Sequence, residues 1–142
     1  MAELRQALHR LGVETHGQGL VEITKPVKDW LSHLGIEDGL LTLYCRHTSA
    51  SLLIQENADP DVCRDLEAFF ERIAPEDSSL YAHNTEGPDD MPAHIRTALT
   101  QTQLSIPVQA GKLLLGTWQG IYLFEHRHAP HHREIVLHII GE

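Results

Sequence analysis

The chain has 142 residues, with 11 Lys and Arg against 20 Asp and Glu and a formal net charge of −9. A chain of this length fits one domain, residues 1–142, that buries roughly two-thirds of its unfolded surface. The negative field repels phosphate backbones and anionic lipid, so neither a nucleic acid nor a membrane is an expected partner. No long apolar run and no charged-then-apolar leader occurs, which predicts no membrane span, no signal peptide and a cytoplasmic location. Two cysteines, Cys45 and Cys63, then read as free, buried thiols. Eleven histidines are the one compositional anomaly.

In chain order, Leu4, Leu8 and Leu11 have helical spacing but no convincing cap, so periodicity leaves the first dozen residues open. GLVEIT from Gly19 alternates as a short strand, and Pro26 predicts a helix carrying Val27, Trp30, Leu31 and Leu34 that closes at Gly35. LLTLYCR puts Leu41, Leu43 and Cys45 on one strand face. SLLIQE is a second strand, joined to it through the small HTSA stretch. Asp59 caps the clearest helix, with Pro60 in its first position and Val62, Leu66, Phe69, Phe70 and Ile73 as its apolar stripe. An irregular stretch follows, and Pro92 predicts a short helix through Leu99 with Ile95 and Leu99 inward. LSIPV, KLLLG, GIYLFE and REIVLHII close the chain as four strands. Strands with two or three inserted helices and no βαβ alternation predict an α+β domain.

Three stretches carry the chemistry. HNTEGPDDMPAHI gathers His83, Glu86, Asp89, Asp90 and His94 around turn-forming Gly87 and Pro88. Imidazoles and carboxylates together suit a divalent cation, although Asp89 or Asp90 also suits the plainer role of capping the helix behind it. HTSASLLIQEN places His47, Thr48, Ser49 and Ser51 at one strand junction and Glu56 at the next. Hydroxyls and turn amides there can hold an oxyanion; an ordinary hairpin uses them to satisfy its backbone. GTWQGIYLFEHR brackets Trp118 and Gln119 with glycines, and ends on His126 and on Arg127, whose fork suits a phosphate or an ion pair. Trp118 reads as core or subunit interface. HRHAPHHR, by contrast, reads as a surface hairpin loop, and no catalytic role is read for His128, His131 or His132.

Together, HTSASLLIQEN, HNTEGPDDMPAHI and GTWQGIYLFEHR resemble the successive signature segments of the YjbQ-like family, over about Leu20 to Gly141. The resemblance implies a compact β-sandwich of mixed or antiparallel strands with two or three helices, assembled as a homotrimer. It also turns the ambiguous N-terminus into a strand. By the same resemblance His47, His83 and His94 are the metal ligands, with His126 in reserve. Glu56, Asp89, Asp90 and Arg127 are the implied catalytic groups; Thr48, Ser49 and Gln119 line the substrate or anion.

Some members of that family are credited with a weak, secondary thiamine-phosphate synthase activity, in which a thiazole nitrogen displaces pyrophosphate from a pyrimidine. Holding two anions together calls for a divalent ion, zinc by donor type or magnesium with a phosphorylated substrate, and for Arg127. Two further readings stand beside this one. One is a metal-dependent hydrolase or lyase acting on a small phosphorylated or carbonyl metabolite, with Glu56 or Asp90 as base. The other is a trimeric module that binds a metal or anion without catalysis.

Overall fold

The computed structural model describes residues 2–142. In chain order the elements are β1 (Arg5–Thr15), β2 (Gly19–Glu22), α1 (Thr24–Ser32), β3 (Gly39–Cys45), β4 (Ala50–Glu56) and α2 (Pro60–Ile73). A short 3₁₀ turn at Ser78–Leu80 leads to α3 (Asp90–Leu99), β5 (Gln103–Gln109), β6 (Lys112–Leu113), β7 (Gln119–Glu125) and β8 (His131–Gly141). The strands form a five-stranded sheet, β1-β8-β3-β5-β6, and a three-stranded sheet, β2-β7-β4, with every pairing antiparallel. The α+β sandwich with three helices is thus the observed architecture.

Alternation builds the large sheet. Leu41, Leu43 and Cys45 of β3 lie opposite Ile139, Leu137 and Ile135 of β8, and all six are buried. Leu52, Ile121 and Leu123 of the smaller sheet complete the same core. β7 is buried on both faces, because Phe124 turns away from that core and meets Phe70 of α2 edge-on at 5.4 Å between centroids.

The N-terminus is a strand, against its helical leucine spacing. Eleven residues pair with β8, and Val13 and Thr15 are buried while Leu4 and Leu8 stay exposed. α1 begins at Thr24, ahead of Pro26, because the Thr24 hydroxyl bridges Glu22 and the amide of Ile121. It ends at Ser32, before Leu34. Asp59 caps α2, accepting from the Asp61 amide at 2.9 Å, but of the predicted stripe only Phe70 is buried; Phe69 and Ile73 are largely exposed. In α3 the inward face is Pro92, Ala93, Arg96 and Thr97, and Leu99 is 59% exposed rather than inward.

Of the two free thiols, Cys45 is buried and Cys63 only half-buried. Trp118 is 61% exposed within the chain, so it is not core. Among the described residues no helix is long and apolar enough to cross a membrane.

Candidate functional site

The stretch between the 3₁₀ turn and α3 folds back at Gly87, whose φ of 101° suits glycine, and the Asp90 amide closes the turn on the Gly87 carbonyl at 3.3 Å. This reversal carries His83 to the first turn of α3. There Asp90 and His94, four residues apart, share one helix face. His83 Nε2 lies 2.7 Å and His94 Nε2 lies 3.2 Å from the same oxygen, Asp90 Oδ2. One donor atom from each of the three lies within 4.8 Å of the others, and among the described residues this is the one such group.

The second nitrogen of His94 defines the first. His94 Nδ1 lies 3.1 Å from the backbone oxygen of Thr48, which can only accept, so Nδ1 carries the proton. In the neutral ring, Nε2 then presents a lone pair to a carboxylate oxygen. Two acceptors so placed attract only through a cation between them, either a proton or a metal ion. His83 is also 3.0 Å from Glu86 Oε2, and the bond to Asp90 raises its pKa above the ordinary histidine value. Burial pushes the Asp90 carboxyl up, but the His83 bond and the charges of His94 and Arg127 outweigh it and hold it below the usual range.

Arg127 closes the far side. Its Nε donates to Asp89 Oδ2 at 3.0 Å, one terminal nitrogen to Asp90 Oδ1 at 2.7 Å, and the other to the Glu86 carbonyl at 3.0 Å. Asp89, at the N-cap position of α3, makes no capping bond; the same oxygen that takes Arg127 also accepts the His128 amide at 2.9 Å. The expected anion clamp is therefore a clamp on the chain's own carboxylates. Asp90 Oδ1 is held by Arg127, and Oδ2 is turned to the histidines.

Beneath this layer lies a buried ion pair. Glu125, fully buried, accepts from the Thr15 hydroxyl at 2.6 Å, from Arg133 at 2.7 and 2.5 Å, and from the amides of His126 and Arg127 at 2.9 and 3.1 Å. Burial raises its pKa, yet the donors of Arg133, Thr15 and Arg127 bring it below the ordinary value. Neither Glu125 nor Arg133 was singled out from the sequence as a functional residue. Arg133 was nonetheless visible, because it sits in phase with Ile135, Leu137 and Ile139, where a core residue belongs.

The remaining predicted residues scatter. His47 Nε2 accepts the Glu134 amide at 2.8 Å, and it stands outside the group of three. Burial and then the Arg133 charge lower its pKa. Thr48 reaches the cluster through its carbonyl, not its hydroxyl. The Ser49 hydroxyl accepts from Arg133 at 3.0 Å. Glu56 and Gln119 pair with each other at the opposite end of β4 and β7 from the Ala50–Glu125 pair. Six residues of strand put them about 20 Å from that pair, and neither belongs to the group of three. His126, the reserve candidate, directly follows β7 but stands outside the group of three: it is fully buried, with Nε2 2.9 Å from the Ser51 hydroxyl, and burial pushes its pKa down to about 3.

The three sequence stretches thus divide between two ends of the molecule, and one end assembles a His–Asp–His group. The model of the UPF0047 protein YjbQ-like family matches residues 9–142. The chain belongs to the YjbQ-like UPF0047 family. It is 52% identical over 141 residues to a UPF0047 protein of Synechocystis, covering 99% of this chain and 96% of that one. It is 41% identical over 133 residues to YjbQ of Escherichia coli O157:H7, covering 93% and 96%.

Among solved structures of the family, a YbjQ-like protein of unknown function from Sulfolobus solfataricus superposes with a TM-score of 0.90 at 26% identity, covering 99% of this chain and 100% of that one. A YjbQ/UPF0047 protein of Clostridium acetobutylicum superposes with a TM-score of 0.80 at 34% identity, covering 94% and 98%. These likenesses carry the family and the fold; the chemistry rests on the residues.

Proposed function

We propose that the protein is a metal-dependent enzyme of the hydrolase or lyase class acting on a small phosphorylated or carbonyl metabolite, with His83, Asp90 and His94 holding one divalent ion. The observation that carries this reading is the placing of His94 Nε2 3.2 Å from Asp90 Oδ2, with its Nδ1 held on the Thr48 carbonyl. A ligating histidine is commonly fixed by such a bond from its other nitrogen. Two imidazoles and a carboxylate suit zinc, and magnesium if substrate oxygens complete the shell. Such an ion supplies Lewis-acid polarisation of a carbonyl or phosphoryl oxygen.

The chain's own groups do the rest. Arg127 fixes Asp90 through Oδ1 and leaves Oδ2 for the site. Glu86, whose side chain is 64% exposed, is the carboxylate free to move a proton, in place of distant Glu56. The thiamine-phosphate-forming reaction needs two phosphorylated substrates beside Glu86, Asp89 and Asp90, with Arg127 already committed to the two aspartates. That charge balance favours the hydrolase or lyase class.

We further propose a homotrimer. Leu8, Leu40, Tyr44 and Ile140 are exposed on the outer face of the large sheet, brought together by the registers of β1, β8 and β3, and a second copy would cover them.

Elemental analysis of untagged protein, purified without chelating resin, tests the metal. We expect near one metal per subunit in the wild type and none in His83→Ala with His94→Ala, with unchanged circular dichroism. Stoichiometric metal retained by that folded variant would sink the assignment. A metal-loaded protein inert toward phosphate esters and carbonyl substrates would leave the binding module in place of the enzyme.

A further inference from the structure

On the face of α3 away from His94 lies a charge that, among the described residues, no carboxylate contacts. Arg96 is 4% exposed, and its one hydrogen bond goes from a terminal nitrogen to the Ala74 carbonyl at 3.0 Å. Its Nε is buried without any partner, and among the described residues no carboxylate lies within 4.0 Å of the guanidinium. A buried cation without a counter-charge is costly, and proteins almost always pair one.

Arg96 lines two adjoining hollows. The inner one, of about 60 Å³, is walled by Gln18, Glu67, Glu71 and Phe124, and has room for a few water-sized groups. The outer one, of about 250 Å³, shares Arg96, Gln18 and Glu71 and opens past Pro75, Glu76 and His128. Of the carboxylates here, Glu67 accepts the Leu20 amide, and Glu76 accepts from Gln18 and faces His128. Glu71 is exposed and, among the described residues, makes no ion pair or hydrogen bond. One cleft therefore holds a buried, unpaired cation and a free carboxylate that do not touch each other.

We propose that this cleft binds a compact zwitterion, its carboxylate against the Arg96 guanidinium and its ammonium group toward Glu71. A simple anion would meet the charge of Glu71, which has no partner among the described residues, beside those of Glu67 and Glu76, and a simple cation would leave Arg96 without a contacting counter-charge. A molecule bearing both charges satisfies both ends. A planar guanidinium with a free Nε–H is the donor that a carboxylate matches in a two-point fork. This site is separate from the His83–Asp90–His94 group and does not depend on its occupant.

The test follows the Arg96 Nε–H resonance in uniformly ¹⁵N-labelled full-length protein, assigned by its loss in Arg96→Lys. Four probes are titrated: glycine, γ-aminobutyrate, acetate and propylammonium. We expect a saturable shift with at least one zwitterion, and binding about tenfold weaker for acetate and propylammonium, the loss of one charge-assisted contact. Glu71→Gln, an exposed change that spares the fold, should weaken the zwitterion by a similar factor. No saturable shift with either zwitterion would overturn the proposal. So would acetate binding as tightly as the zwitterions, or indifference to Glu71→Gln.

Discussion

A carboxylate as deeply buried as Glu125 persists only where donors answer both oxygens, and here five bonds do so. Glu125→Gln keeps the shape but removes the charge facing Arg133, itself 4% exposed. The variant should lose about 3–5 kcal/mol of stability in urea unfolding, the usual cost of stranding one member of a buried pair. It should also loosen Arg127, whose amide Glu125 holds, so affinity for the proposed metal should fall although no proposed ligand is touched.

His126 sets an acid limit beside it. Burial depresses its pKa to about 3, so the native state holds the ring neutral where the unfolded chain, titrating near 6.5, takes up a proton. The unfolded state then binds more protons between those values, and stability falls as pH drops from about 6.5 toward 3, by on the order of 4 kcal/mol in all. Removing that titration with His126→Gln should flatten this part of a stability–pH curve measured by denaturant unfolding. An unchanged slope would place the acid sensitivity in another group.

At the level of elements, β3 and β8 approach closely where Gly39 faces Gly141. A Cβ on Gly141 would stand 2.2 Å from the Asp38 carbonyl oxygen, and one on Gly39 would stand 2.4 Å from that of Ile140. Neither obstacle is a side chain that can swing aside. Gly141→Ala should therefore cost about 1–3 kcal/mol or more, read as a drop in thermal midpoint, whereas substitution at exposed Leu99 should cost almost nothing.

The same scale shows what the sequence could disclose. β2 and β3 announced themselves through alternation, β4, β5 and β8 as short strand-like runs, and α2 through Asp59 and Pro60, because those signals are local. β1 was hidden, since Leu4, Leu8 and Leu11 mimic a helix and only the long pairing with β8 makes the strand. His83, Asp90 and His94 were legible as a group because twelve residues and one glycine turn hold them. The separation of Glu56 and Gln119 from that group follows from strand direction, and Arg127's commitment to Asp89 and Asp90 from a contact across 37 and 38 positions. Neither leaves a trace in local spacing.

Across the whole molecule, a net charge of −9 coexists with an outer sheet face on which Leu8, Leu40, Tyr44 and Ile140 are all more than a third exposed. A second copy seated on this face, as proposed above, would remove that apolar area from water. Leu8→Glu with Tyr44→Glu should shift the proposed trimer to monomer in sedimentation velocity, with the fold intact because both side chains already lie outside the core. A persistent trimer would move the interface elsewhere.

The large sheet also fixes an order of events during synthesis. β8 follows every other strand in the chain yet lies between β1 and β3, paired with β1 along its whole length and with β3 from Ile135 to Gly141. While the ribosome is still working toward it, the first strand has no neighbour and the third lacks one of its two, so unsatisfied edges stay open. Contacts of such long sequence separation also form slowly. The nascent chain is therefore most prone to aggregate just before its final strand emerges, and a chaperone that shields β1 would protect the protein at the stage of its greatest exposure.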